Sequence, residues 1–301
     1  MSTCTLFSWS PTALDALTPI IITKSIAVVT HTLFWIQFLV CSSLRQRNMM
    51  WLYVYLITDF LLILRFFILY GIRLSSVCLY PIGRDILCYF EASSKFYLNT
   101  VQSYLLLAFN GCRYLHVVSN RNIYREKPRL VIVIHIIIYF LPAINIMVPF
   151  LAKWSSIWRR RGGSCDIVYS SLIVQIFNLC VVYTIPIVLN IFILGFGIRH
   201  VSSIRNVRNE QIILLRRKRQ RILLFQTIAF YSIWLLLWSP DILTFQFLNA
   251  NSDPAVFTTL LSVIEIALDP AMLGIIDVRF LTTWRKLWNK IKRRRQIGVV
   301  S

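Results

Sequence analysis

The chain has 301 residues, of which 57% are hydrophobic and 15% charged, and its mean hydropathy is +0.66. A soluble domain is nearer half apolar and a quarter charged, so this composition excludes an ordinary soluble protein and favours an integral membrane protein. The formal net charge is +20, but most Lys and Arg lie in short segments between apolar runs, which is typical of cytoplasmic loops and argues against nucleic acid as a partner.

Seven apolar runs follow one another along the chain, each near the length of about 20 residues that a helix needs to cross a bilayer. They predict an all-α membrane protein, a seven-transmembrane helix bundle formed by one domain over residues 1–301. We expect the helices at about 17–41, 49–71, 88–117, 130–151, 167–196, 222–248 and 255–276. Because the basic C-terminal segment favours the cytoplasmic side, seven crossings put the N-terminus outside.

Charged side chains interrupt the first two runs. In the first run, we expect Lys24 to extend its amine outward to the interface and His31 to be hydrogen-bonded within the bundle. The second run contains Asp59 and Arg65. Such charges persist in a bilayer where they face the bundle interior or water, so both are candidates for function.

The third run is the most polar and is predicted to be the innermost helix. Residues 88–113 read CYFEASSKFYLNTVQSYLLLAFNGCR, whose polar groups require satisfaction by other helices or trapped water. Helical spacing places Glu91, Lys95, Gln102 and Arg113 close to one face. Glu91 precedes Lys95 by one helical turn, so an ion pair within the helix is one prediction. The alternative is that Lys95 contacts a ligand.

The later runs contain prolines, which bundled membrane helices tolerate as kinks. A basic connector that ends in RRKRQR at 216–221 leads into the sixth run and is predicted to contact anionic lipid or a partner protein. Residues 277–301 are predicted to form a short amphipathic eighth helix and tail along the membrane surface. Its apolar stripe consists of Leu281, Trp284, Trp288 and Ile291.

In chain order, these features resemble a rhodopsin-like G-protein-coupled receptor, over nearly the whole chain. The motifs are Asp59, Cys88, Arg113, Cys165, Pro186, Trp238-Ser239-Pro240 and Asp269-Pro270. The resemblance implies a plasma-membrane receptor that transduces an extracellular ligand, a small molecule or short peptide, to a heterotrimeric G protein. It implies neither enzymatic activity nor a cofactor.

The resemblance also implies roles for individual residues at the two ends of the bundle. Cys88 and Cys165 would form a disulfide on the oxidising face; the alternatives are two free thiols, or Cys78 as a competing partner. Arg113 and Tyr114 would contact the G protein at the cytoplasmic end.

The ligand-binding candidates are Lys95, Glu91, Asp241, Trp238 and Arg65. By the resemblance, Trp238 forms the aromatic floor of the cavity; the alternative is ordinary packing between helices. Lys95 occupies the position at which amine receptors carry an aspartate, so it disfavours a cationic ligand. Together with Arg65 and the arginines at 159–161, it favours an anionic group, whereas Asp241 favours a basic group of a peptide.

Three acids, Asp59, Asp269 and Glu265, are expected to face one interior region. Carboxylates this close in a low dielectric cannot all stay ionised, so they must share a cation or a proton. The resemblance implies a sodium ion at Asp59, and no other metal. The alternative is a protonated, hydrogen-bonded network.

Several residues depart from the receptor pattern. Cys112 replaces the acid before Arg113, and Leu273 replaces a tyrosine of the seventh helix. These changes predict high basal activity, or the alternative of a divergent chemosensory seven-helix receptor with weak, constitutive or lost G-protein coupling. Other classes fit less well, because the seventh run lacks the lysine of a retinal photoreceptor and no repeated halves of a transporter occur.

Overall fold

The structure is a computed structural model that describes residues 5–41, 45, 49–119, 123–159, 164–203, 210–247 and 253–276. These residues form nine α-helices and two short two-stranded antiparallel sheets. The helices are α1 (Pro11–Val40), α2 (Met50–Leu74), α3 (Pro81–Ser119), α4 (Ile123–Glu126), α5 (Pro128–Leu151), α6 (Leu172–Leu179), α7 (Ile185–Ser203), α8 (Glu210–Phe247) and α9 (Asp253–Ile276). The strands are β1 (Thr5–Phe7), β2 (Val77–Leu79), β3 (Ser155–Arg159) and β4 (Cys165–Tyr169).

Six helical segments in the described residues are long and apolar enough to cross a membrane. They are Pro11–Val40, Met50–Leu74, Pro128–Leu151, Leu172–His200, Leu224–Thr244 and Ala255–Gly274. By length and composition, the chain is therefore a mostly helical, multi-pass membrane protein, as the sequence predicts. Helix α3 is not among the six because its polar residues lower its hydropathy, although its 39 residues span roughly 58 Å.

Helix α3 packs against α2, α5 and α7, while α9 packs against α1 and α8. The contacts bury polar side chains along α3 that would be costly in lipid. Those with 4% exposure or less are Asn99, Thr100, Gln102, Ser103 and Asn110.

The segment between α6 and α7 shows how two polar residues of α3 are satisfied. Residues Cys180–Thr184 form a π-helical turn, in which the Ile185 N–H bonds to the Cys180 carbonyl. This wider turn leaves the Val181 carbonyl to accept a hydrogen bond from the Tyr104 hydroxyl, at 2.8 Å. Pro186 has no N–H for the carbonyl four residues earlier, so the Val182 carbonyl accepts from Ser103, at 3.2 Å.

An antiparallel hairpin of β3 and β4 precedes α6, with Arg159 opposite Cys165. The predicted fifth helix, at 167–196, is therefore wrong at its start: residues 167–169 belong to β4, and the helix begins at Leu172 after the cap Ser171. A short apolar run of β-branched and aromatic residues is compatible with either a strand or a helix, so its pattern alone does not distinguish them.

A disulfide joins Cys88, in the N-terminal part of α3, to Cys165 in β4, with their Cα atoms 5.4 Å apart. This confirms the predicted pair. Cys78 is also disulfide-bonded, so it does not compete for either partner. The free cysteines among the described residues are Cys41, Cys112 and Cys180.

Helix α8 begins at Glu210, well before the predicted start at 222. The basic segment at 216–221 is thus helical rather than a connector, because Lys, Arg and Gln have high helix propensity. The predicted eighth helix and tail at 277–301 lie outside the described residues.

Candidate functional site

A cavity of about 220 Å³ lies at the end of the bundle that carries the disulfide. Its lining comes from α1, α2, α3, α8, α9 and β4, so distant parts of the chain meet there. Four of the five predicted ligand-binding residues line it: Arg65, Glu91, Lys95 and Asp241.

Glu91 forms a buried ion pair with Arg73 of α2, in which the Arg73 guanidinium donates a hydrogen bond to the carboxylate. The two side chains are 6% and 2% exposed. The same carboxylate accepts the Cys165 backbone N–H at 3.3 Å. The guanidinium also lies 4.2 Å from the ring centroid of Phe7 and 4.4 Å from that of Trp9. Glu91 therefore anchors β4, α2 and the N-terminal segment to α3.

Lys95 pairs with Asp241 of α8, with 3.1 Å between Nζ and Oδ2. Asp241 also accepts a hydrogen bond from Thr259 of α9, at 2.8 Å. The predicted ion pair of Glu91 with Lys95 does not form, because each finds its partner on another helix. Lys95 keeps 31% of its side chain exposed, so its amine remains accessible from the cavity.

Arg65 sits between these two pairs. Its guanidinium donates to the Ser94 hydroxyl and to the backbone carbonyl of Glu91. The guanidinium is thus fixed against α3, in the wall of the cavity. The side chains of the arginines at 159–161 lie outside the described side chains.

Trp238 does not line this cavity and is 1% exposed. Its ring stacks on Trp234, with 4.4 Å between centroids, and on Tyr183 of the π-helical turn, at 5.9 Å. The stack lies in the hydrophobic core below the charged residues. The predicted aromatic floor is therefore a core stack that links α8 to the segment between α6 and α7.

Lys24 was missed as a candidate, and the expectation that it extends outward is wrong. It is 8% exposed, lines the cavity and has its amine 4.6 Å from the ring centroid of Phe66. The buried residues of α1 follow a helical spacing that includes it: Ile20, Lys24, Ala27, His31 and Phe34. This periodicity was visible in the sequence and could have identified the inward face.

The predicted acids Glu265 and Asp269 meet at a residue that the sequence did not single out, Tyr55 of α2. Its hydroxyl lies 2.7 Å from Glu265 Oε1 and 2.6 Å from Asp269 Oδ2. Asp59 accepts a hydrogen bond from Gln102 and interacts with Asp269. All three acids are 2% exposed or less.

A tyrosine hydroxyl carries one hydrogen and can donate it to only one carboxylate at a time. A second proton or a cation must therefore stabilise the cluster in its low-dielectric surroundings. Within the described residues, no group of three or more His, Cys, Asp or Glu is arranged to hold a metal ion. The contacts of Tyr55 and Gln102 with these acids are those expected of the hydrogen-bonded network.

We expect Asp59→Asn to retain the contact with Gln102, because an asparagine oxygen accepts the same hydrogen bond, and to leave only two acids that must share a proton. The free energy of unfolding should rise by about 1 kcal/mol, measured as Tm of the purified protein. The wild type should show the same Tm in sodium and potassium chloride. A sodium-specific rise in Tm that Asp59→Asn abolishes would instead establish an ion site.

At the opposite end of α3, Arg113 bonds to helix α8. Its Nη1 donates to the Thr227 hydroxyl at 2.5 Å, and the guanidinium lies 4.5 Å from the Phe109 ring centroid. The next residue, Tyr114, is half-buried and packs near Gly197 of α7. The two predicted coupling residues thus contact the two helices that frame this end of the bundle.

Cys112, which replaces the acid of the receptor pattern, is buried beside Trp51 and Tyr124. Burial and the neighbouring thiol raise the pKa of the Tyr124 phenol, so Tyr124 remains protonated at neutral pH. The thiol therefore contributes packing of α4 against α3 rather than a charge for Arg113.

Comparison with known proteins gives no relative: no family model matches this chain, and no curated protein matches its sequence.

Proposed function

We propose that the chain is a G-protein-coupled receptor of the rhodopsin-like type. In this proposal α3 also crosses the membrane, which adds one span to the six apolar ones, and the cavity at the disulfide is the outer, ligand-binding one. One observation carries the proposal: α3 and α8 are joined by polar contacts at both ends. Lys95 contacts Asp241 beside the cavity, and Arg113 contacts Thr227 at the other end. Along α3, these contacts are about 27 Å apart.

This arrangement supports a two-state mechanism. A ligand in the cavity that competes for Lys95 or Asp241 loosens the outer contact between α3 and α8. Pro240 adjoins Asp241 and lies inside α8, so this helix can bend there. Movement of α8 then separates Thr227 from Arg113 and opens a surface for a G protein.

The proposal predicts opposite effects for the two partners of the inner contact. Thr227→Val removes a hydrogen bond to a charged group, which contributes about 1.5–3 kcal/mol, and should raise basal activity about tenfold. Arg113→Ala should reduce activity to background, because the residue that contacts the G protein is lost. The measurement is nucleotide exchange on a panel of purified heterotrimeric G proteins, with the protein in lipid nanodiscs.

Arg129→Ala is the matched control, because Arg129 is an exposed arginine at the start of α5. It should leave nucleotide exchange unchanged. Absence of exchange with every G protein, for the wild type and Thr227→Val alike, would contradict coupling. Tags at both ends of the chain that appear on the same side of the membrane would contradict the seven crossings.

A second candidate is a divergent chemosensory seven-helix receptor that has lost coupling. It is favoured by the buried packing of Cys112 and Leu273, which offer Arg113 neither an acid nor a tyrosine hydroxyl. In that case ligand binding persists in the purified protein while nucleotide exchange stays at background.

A further inference from the structure

Lys24 is a buried cation that forms no ion pair with an acid among the described residues. It is 8% exposed and lines the cavity, and its amine lies over the face of Phe66, 4.6 Å from the ring centroid. Arg65 and Lys95 repel its charge, while Asp241, already paired with Lys95, attracts it. A buried charge without an ion pair is costly, so its retention at this place requires an explanation.

The other charges around the cavity balance one another. Arg65 and Arg73 face two carboxylates, those of Glu91 and Asp166, which attract both guanidinium groups. Lys95 has Asp241. Lys24 is thus the one cation in excess among the described residues of this cluster. A ligand with a single negative charge would complete the balance.

The cavity also restricts the size and polarity of its ligand. Its volume of about 220 Å³ is below the roughly 300–1,000 Å³ of pockets for drug-sized molecules. Phe66 stacks on Tyr70 at 6.0 Å between centroids, and both rings form part of the wall, with Trp9. The cavity therefore suits a small molecule with an apolar body and one anionic end.

We propose that Lys24 binds the carboxylate of a small organic acid whose apolar body packs against Phe66 and Tyr70. This rests on the proposed function, because the acid would be the extracellular ligand. This proposal moves the predicted anion-binding residue from Lys95 to Lys24, because Asp241 already neutralises Lys95. The acid's negative charge would also draw Lys95 away from Asp241 and so weaken the outer contact with α8.

The test compares acids with their neutral amides on the purified protein in nanodiscs. Benzoate and butyrate should each raise Tm, whereas benzamide and butyramide, which have the same shape without charge, should not. Lys24→Met should weaken the binding of benzoate by roughly 10- to 100-fold, the loss expected for one charge-assisted hydrogen bond. Lys24→Arg should retain binding, because it keeps the charge.

The Tm of the ligand-free protein is a second measurement, and it distinguishes a ligand-binding role of Lys24 from a structural one. Methionine has a similar length and no charge, so Lys24→Met should raise Tm in the absence of ligand, although it weakens the binding of benzoate. Lys24→Gln serves as a second variant with the same expected loss of binding. Lys127→Met, at an exposed lysine, should change neither property.

Failure of both acids to raise Tm, or equal shifts by acid and amide, would overturn the proposal. A ligand-free Lys24→Met protein with a lower Tm than the wild type would also overturn it. Because no G protein is present, the result is independent of coupling: loss of nucleotide exchange would leave the carboxylate site intact, and loss of carboxylate binding would leave coupling intact.

Discussion

Glu91→Gln should lower the free energy of unfolding by about 3–5 kcal/mol, the cost of removing one partner from a buried ion pair. Arg73 is 2% exposed, so water cannot replace the carboxylate that it loses. The same change weakens the acceptor for the Cys165 N–H and hence the attachment of β4. We expect a large fall in Tm of the purified protein.

A double substitution shows whether the loss of stability comes from the missing ion pair or from the unpaired charge that remains on Arg73. Arg73→Met with Glu91→Leu removes both charges, and buried pairs replaced by apolar residues are often as stable as the original. The double variant should therefore recover much of the Tm that Glu91→Gln loses. Glu126→Gln, at an exposed acid in α4, is the control and should have no effect. Wild-type stability of Glu91→Gln would contradict the structural role assigned to this pair.

Cys88→Ser should have an effect of similar size. Loss of a native disulfide typically costs about 2–5 kcal/mol, and this one closes a loop between residues 77 apart in sequence. Both cysteines are buried, at 1% and 5% exposure, in a small apolar cluster that also contains Ala92 and Phe96. We expect Tm to fall and the carboxylate-dependent shift to disappear, since β4 forms one wall of the cavity.

The two single cysteine variants and the double variant should show the same fall in Tm. If the bond is the origin of the effect, Cys165→Ser alone and both substitutions together should each match Cys88→Ser, because removing a second partner breaks nothing further. Cys180→Ser, at a half-buried free cysteine, is the matched control. An additive loss in the double variant would assign the effect to packing of the thiols instead.

The sequence predicted the helices well because hydropathy and helical period are local properties. The run at 255–276 closely matches α9, which ends at the same residue, and the run at 49–71 matches most of α2. Predictions failed where local patterns were ambiguous. Residues 167–169 were assigned to a helix, but they pair with β3, a contact that no local period reveals.

The candidate site shows the same division. The sequence alone identified Glu91, Lys95, Arg65 and Asp241 as charges that a membrane bundle must place inside, because charges in lipid are costly. It could not determine their partners. The spacing within α3 predicted an ion pair between Glu91 and Lys95. In the structure, Glu91 instead pairs with Arg73 of α2, and Lys95 pairs with Asp241 of α8.

The composition and the order of apolar runs by themselves determined that this is a mostly helical, multi-pass membrane protein with charges along a polar third helix. Only the tertiary structure decided that Lys24 points inward, that Tyr55 joins two acids, and that α3 contacts α8 at both ends. The reason is that burial depends on residue type and on the helical spacing of apolar residues, which can be seen in the sequence of a single helix. Ion pairs and cavities depend on distances between residues far apart in the chain, which arise only when the helices pack.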